Sequence, residues 1–231
     1  MITLRPAHER GQEHYDWLDS RHTFSFGHYY DPDYLGVSDL LVINDDWVKP
    51  GTGFGTHPHR DMEIISYVLE GTIEHKDTMD QHTQLRAGEV QVMSAGSGVR
   101  HSEYNPSLSD SLNFLQLWIK PNEQGAQPGY AQKDFSAREG VTLIVSPDGN
   151  DGSLAIRQDA RIYQLRLQRQ SVGFDTGSDR IYYLHVARGG LRVNGVDMSA
   201  GDGATLLGEN TLQFDVDEQA EALLIDLRMA S

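Results

Sequence analysis

Nine short runs rich in β-branched and aromatic residues are spaced along the chain, each closed off by Gly, Pro, Asn or Asp. They are Leu40–Ile43, Ile64–Leu69, Glu89–Met93, Asn113–Ile119, Val141–Val145, Ile162–Leu167, Tyr182–Val186, Ala204–Leu207 and Ala222–Leu227. Runs of this length and composition suit strands, and helical periodicity is scarce between them. Many short strands at regular spacing predict an all-β protein built as a sandwich or barrel. A chain of 231 residues, 38% of them apolar, can bury one large core or two smaller ones.

Two smaller ones are favoured by an internal repeat. YVLEGTIEH is followed by RAGEVQVMSAG in the first half, and LHVARGGLRVNG by SAGDGATLLGE in the second. Aligning Gly71 with Gly189 brings Gly88 opposite Gly201 when the second hairpin is five residues shorter. Between the copies, Pro121–Gly140 is polar and carries two Pro and three Gly, the composition of a boundary. The expected division is a first domain over 1–124 and a second over 125–231.

Charge and cysteine content narrow the partners. With 19 Lys+Arg against 34 Asp+Glu, the net charge is −15, which opposes direct binding to nucleic acid or anionic membranes. The absence of cysteine removes disulfides, thiolate metal sites and a cysteine nucleophile. No apolar run has the length of a transmembrane helix, and MITLRPAHERGQEHYDW lacks the apolar stretch of a signal peptide. A soluble, cytoplasmic protein is expected.

Chemistry concentrates in two pairs. His57 and His59 stand at i and i+2, as do His101 and Glu103. In extended backbone, residues two apart share a face, so each pair can present both side chains to one point. Pro58 points away and marks a strand entrance or edge. Two pairs meeting across a small barrel would give three neutral nitrogens and one carboxylate. On an octahedral ion such a set leaves two positions open, as a catalytic metal requires. Donor chemistry leaves Fe, Mn, Co, Ni and Cu open, with Zn less natural. Phe54, Met93 and Ser97 lie near these residues in sequence and are candidate walls for a planar ligand. His22 and His28 read as packed against aromatic neighbours, and His75 as solvated on a charged hairpin. His8, His14, His82 and His185 are isolated and uninformative.

The same residues carry a family resemblance. Gly51, His57-x-His59 and Glu63 are spaced as in the first cupin motif, with its closing glycine one residue late at Gly71. Gly98, His101 and Asn105 follow the second motif, with Gly96 where a proline is expected. Within the cupins, RHTFSFGHYYDP, LVINDD, GFGTHPHRDMEIISYVLEG and SAGSGVRHSEYNPS resemble the pirin family. SPDGNDGSLAIRQDARIY fits its short bacterial members.

That resemblance implies a bicupin, two tandem jelly-roll β-barrels. It implies one divalent metal, expected to be Fe(II), held by His57, His59, His101 and Glu103. Glu63 would then be a supporting acid. At the aligned places the second copy has Asp175, Gly177, Phe214 and Val216, which cannot bind a metal. The implied activity is that of a quercetin 2,3-dioxygenase, with an aromatic small molecule and O2 as substrates and Glu103 as general base. Alternatives are another enol or catechol-like substrate, or a metal-dependent, redox-sensing regulator acting through a protein partner.

Overall fold

Most of the runs read from the sequence are strands buried on both faces. Seven of the eight residues of Glu63–Glu70 are buried, as are seven of the eight in Leu112–Ile119. The structure, a computed structural model, describes residues 1–229. The strands of the first half are β1 (Ile2–Arg5), β2 (Gly11–His14), β3 (Leu18–His22), β4 (Leu40–Val48), β5 (Gly53–His59), β6 (Glu63–Glu70), β7 (Thr72–Asp77), β8 (His82–Arg86), β9 (Glu89–Ser94), β10 (Val99–Tyr104) and β11 (Leu112–Ile119). The second half adds β12 (Gly129–Asp134), β13 (Gly140–Ser146), β14 (Leu154–Ala155), β15 (Ala160–Asp175), β16 (Arg180–Val193), β17 (Val196–Ser199), β18 (Gly203–Leu207) and β19 (Thr211–Arg228). Among the described residues the only helical turns are Ala7–Glu9 and Asn150–Gly152, both 3-10.

The expected all-β, two-unit architecture is present. In the first unit a seven-stranded sheet, β12-β9-β6-β11-β4-β3-β2, faces a four-stranded one, β5-β10-β7-β8. Val68, Leu112 and Phe114 of the first pack on Ile73 and Leu85 of the second. The second unit is one eight-stranded sheet, β1-β18-β16-β19-β15-β13-β14 with β17 on β16. Its long strands β15, β16 and β19 surround an apolar interior that includes Leu165, Leu184, Phe214 and Leu224. The sheets keep open edges. Two strands cross the expected boundary at 124: β1 pairs with β18 of the second unit, and β12 with β9 of the first.

The glycines aligned in the repeat share one backbone state. Gly71 has φ 78° and Gly189 φ 69°, both in the left-handed region. A Cβ would lie 2.6 Å from the Ser111 carbonyl oxygen at Gly71 and 2.0 Å from that of Gln219 at Gly189. No larger residue fits either turn.

The large sheets of the two units pack together through Ile43, Leu115 and Leu117 on one side and Ile162, Leu223 and Ile225 on the other. His185 is fully buried, with neither ring nitrogen hydrogen-bonded, and burial holds its pKa down at about 3. Below its ordinary pKa of 6.5 the unfolded chain binds a proton here that the folded chain does not. Stability therefore falls as pH drops. His185→Leu should reduce the slope of unfolding free energy against pH by up to about 1.4 kcal/mol per pH unit between about pH 6 and 4. Urea titrations of both proteins across that range check this, and equal slopes would contradict it.

Candidate metal centre

Three neighbouring strands carry the site. In the order β5-β10-β7, His57, His101 and Asp77 form one register row, and Phe54, Glu103 and His75 form the next. The strands shift register between His101 and Glu103, which brings Phe54 rather than Gly55 opposite Glu103. Gly53 permits the close approach there. A Cβ on it would lie 2.3 Å from the Glu103 carbonyl oxygen and 2.5 Å from the Tyr104 Cα.

The three histidines converge as their spacing predicts. Ring centroids are 4.8 Å apart for His57 and His59, 4.5 Å for His57 and His101, and 4.9 Å for His59 and His101. One ring nitrogen from each lies within 4.8 Å of the other two. His57 Nδ1 donates to the Gly55 carbonyl at 2.8 Å, which frees Nε2 as a ligand. His59 meets the Trp118 ring edge-on at 5.0 Å. Burial holds the His59 pKa down at about 4, helped by His101 and His57. The same cause holds His101 at about 3, helped by His57 and His75. Both imidazoles are therefore neutral near pH 7, with lone pairs available.

Glu103 is buried and held by three donors. Gln91 Nε2 at 3.0 Å and Ser66 Oγ at 3.2 Å donate to Oε1, and Gln116 Nε2 at 2.8 Å donates to Oε2. Its carboxylate groups with His75 and His101 in a second cluster that overlaps the first at His101. Glu63 stands outside both clusters, where it accepts from Ser94 Oγ at 2.6 Å.

His75 corrects the sequence reading. It is fully buried, not solvated, and its ring lies 4.7 Å from that of Tyr130. Its Nε2 donates to Asp77 Oδ2 at 2.9 Å, and its Nδ1 faces His101 Nδ1 at 3.5 Å. Asp77 Oδ1 accepts the backbone N–H of Met79 at 2.8 Å. The signal was present in the sequence: His75 and Asp77 are another i, i+2 pair, masked by the charged residues Glu74 and Lys76. With Asp77 holding the His75 proton on Nε2, His75 Nδ1 is an acceptor. His101 then carries its own proton on Nδ1 and turns Nε2 toward the cluster.

That Nε2 is buried and has no hydrogen-bond partner. A buried orphaned nitrogen is costly unless a ligand uses it. Three imidazoles that converge on one point, with a carboxylate beside them, fit a divalent transition metal.

A cavity of about 210 Å³ adjoins His57, His59 and Glu103, and Leu18, Phe26, Phe54 and Trp118 are among its walls. Phe54 lines this cavity, and Met93 and Ser97 do not. Met93 is wholly buried among Ile64, Ala95 and Val99, and Ser97 is exposed on a turn, where its N–H bonds the Ala126 carbonyl at 2.7 Å. His22 is buried as expected but also lines this cavity, and His28 is exposed and bonds Glu13 at 2.8 Å. Asp46, another wall, has its pKa pushed up to about 7 by burial. In the second unit Phe214 and Val216 are core residues and Asp175 is exposed. Among the described residues both potential metal clusters lie in the first unit.

Comparison with known proteins agrees with this geometry. Residues 3–119 match the Pirin family, and residues 143–227 match the quercetinase C-terminal cupin domain. A quercetin 2,3-dioxygenase of Escherichia coli (strain K12) is 49% identical over 229 residues, covering 98% of this chain and 99% of that protein. A pirin-like protein of Caulobacter vibrioides is 41% identical over 231 residues, covering 98% and 99%. The crystal structure of the bacterial pirin YhhW from Escherichia coli in complex with nickel(II) superposes with a TM-score of 0.96 at 47% identity, covering 100% of both chains. The chain belongs to the pirin family.

Proposed function

We propose that this protein is a metal-dependent dioxygenase that cleaves a flavonol such as quercetin with O2. The observation that carries the reading is the convergence of three imidazoles beside a cavity with Leu18, Phe26, Phe54 and Trp118 among its walls. His57, His59, His101 and Glu103 would hold the metal, for which Fe(II) is our first choice. His75 is a poorer ligand, because Asp77 engages its Nε2 and its Nδ1 accepts from His101. A divalent metal held there would supply Lewis-acid and redox chemistry. Catalysis stays in the first unit, and the second unit supports it.

The surrounding residues prepare the ligand. Phe54 and Trp118 supply aromatic walls against which a planar ring could pack. Glu103 accepts the proton of the flavonol 3-hydroxyl, and Gln91, Gln116 and Ser66 keep its carboxylate oriented. Ring opening then takes up both atoms of O2 and releases one carbon as carbon monoxide. A smaller enol or catechol-like substrate is the second reading. The cavity volume favours it, because about 210 Å³ lies below the roughly 300–1,000 Å³ of pockets for drug-sized ligands. A flavonol would leave part of its ring system in the opening.

Stripping the protein with a chelator and reloading it anaerobically with Fe(II), Mn(II), Co(II), Ni(II), Cu(II) or Zn(II) tests the reading. Oxygen uptake with quercetin should appear with at least one metal, at one CO per O2. No uptake with any of them would contradict it.

A further inference from the structure

All but one of the residues that line the cavity lie on strands, so sheet register fixes where each stands. Phe26 is the exception. It opens a two-residue turn in which Phe26 and Tyr29 exchange backbone hydrogen bonds, each of 3.0 Å. Gly27 and His28 at the tip are exposed, whereas Phe26 is half-buried and lines the cavity. Its ring meets that of Trp118 edge-on at 5.3 Å and that of His22 at 5.2 Å. Trp118 in turn meets His59 edge-on. Phe26 therefore stands one ring removed from the metal-binding histidines, where the cavity gives way to solvent.

Contacts of its neighbours hold this turn in place. His28 Nδ1 lies 2.8 Å from Glu13 Oε1, and Arg5 donates to the Tyr29 hydroxyl at 2.8 Å. The Tyr29 ring rests on Gly11 of β2, where a Cβ would come within 2.3 Å of it. The chain before the turn is held by the Ser25 N–H, which donates to the Tyr34 carbonyl at 2.7 Å. None of these contacts uses the Phe26 side chain, so its ring can be trimmed without undoing the turn.

We propose that Phe26 caps the cavity and sets how much of a ligand it encloses. The enclosed part is a chelating head of one or two fused rings, and any further ring stays in solvent. A flavonol seats its 3-hydroxy-4-keto head inward, and its pendant phenyl ring meets Phe26 at the boundary. The volume of about 210 Å³ agrees with a head smaller than the drug-sized ligands that fill roughly 300–1,000 Å³. Removing the Phe26 ring extends the cavity along Trp118, whose indole then flanks the pendant ring. The proposal rests on the metal reading above only for which end of the ligand lies inward.

Anaerobic binding to the Ni(II)-loaded protein, in which no turnover occurs, provides the test. Dissociation constants are measured for 3-hydroxychromone and 3-hydroxyflavone, which share the chelating head and differ by the pendant phenyl ring. In the wild type that ring stays in solvent and should tighten binding by no more than about threefold. Phe26→Ala should favour 3-hydroxyflavone by about tenfold or more, as burial of a phenyl group allows. Binding of 3-hydroxychromone should change by less than about threefold. Phe26→Leu should shift the ratio the same way by less, and it decides should the alanine variant fail to fold. A wild type that already prefers 3-hydroxyflavone by about tenfold, or a folded variant with the wild-type ratio, would overturn the proposal. The two readings fail separately: a shifted ratio without oxygen uptake sinks the dioxygenase and keeps the cap, whereas uptake with an unshifted ratio does the reverse.

Discussion

Replacing His101 by Ala is expected to remove metal and turnover together. His101 is the buried member of the converging histidines, it is common to both potential clusters, and its free Nε2 has no protein partner. Alanine removes that donor and leaves His57 and His59, half-buried and near the opening. Metal affinity should fall by more than the roughly 10–100-fold typical of losing a hydrogen-bond partner around a ligand. Metal content after dialysis, measured beside oxygen uptake, checks this. A variant that keeps a full equivalent of metal would refute the role of His101. One that loses its metal but keeps full activity would refute the metal dependence. Folding should persist, because the neighbouring strand pairings do not depend on this side chain.

The second large effect lies one layer out. Asp77→Asn keeps the size of the side chain and can keep the turn bond to the Met79 N–H, but it removes the charge that holds the His75 proton on Nε2. His101 then loses its fixed acceptor and its single tautomer. Metal affinity should weaken about 10–100-fold with the fold intact. Nitrogen-15 shifts of the imidazoles in the metal-free protein give a reading independent of activity. The wild type should show His101 protonated on Nδ1 alone, and the variant a mixture. Identical shifts and identical affinity would remove Asp77 and His75 from the account.

How much of this was legible in the sequence depended on whether pattern and environment agreed. Ile64–Leu69 and Asn113–Ile119 read as strands because both faces are buried, so apolar residues run almost without interruption. The outer part of β15 was missed because its polar residues from Gln168 to Asp175 are exposed or half-buried and hold their strand through pairing with β19. β1 and β12 could not be assigned to their sheets, since pairing across a domain boundary leaves no local trace. At the site, i, i+2 spacing placed His57, His59, His101 and Glu103 because two-residue periodicity is a property of extended backbone. The same rule applied to His75 and Asp77, but charged neighbours disguised a buried face as a solvated hairpin. Met93 and Ser97 failed for a different reason. Nearness in sequence to a ligand says nothing about which sheet row or turn a side chain occupies. The place of Phe26 over the cavity became visible only in the structure, because a turn rather than strand register sets it.

The central claim is that one metal ion sits among His57, His59, His101 and Glu103 beside the cavity. Anomalous diffraction from crystals of the metal-loaded protein, recorded on both sides of the metal's absorption edge, tests it most directly. A single strong anomalous peak per chain is expected, within bonding distance of all three imidazoles and the Glu103 carboxylate. A peak bounded by His75, His101 and Glu103 without His57 and His59, or no peak in the first unit, would contradict it.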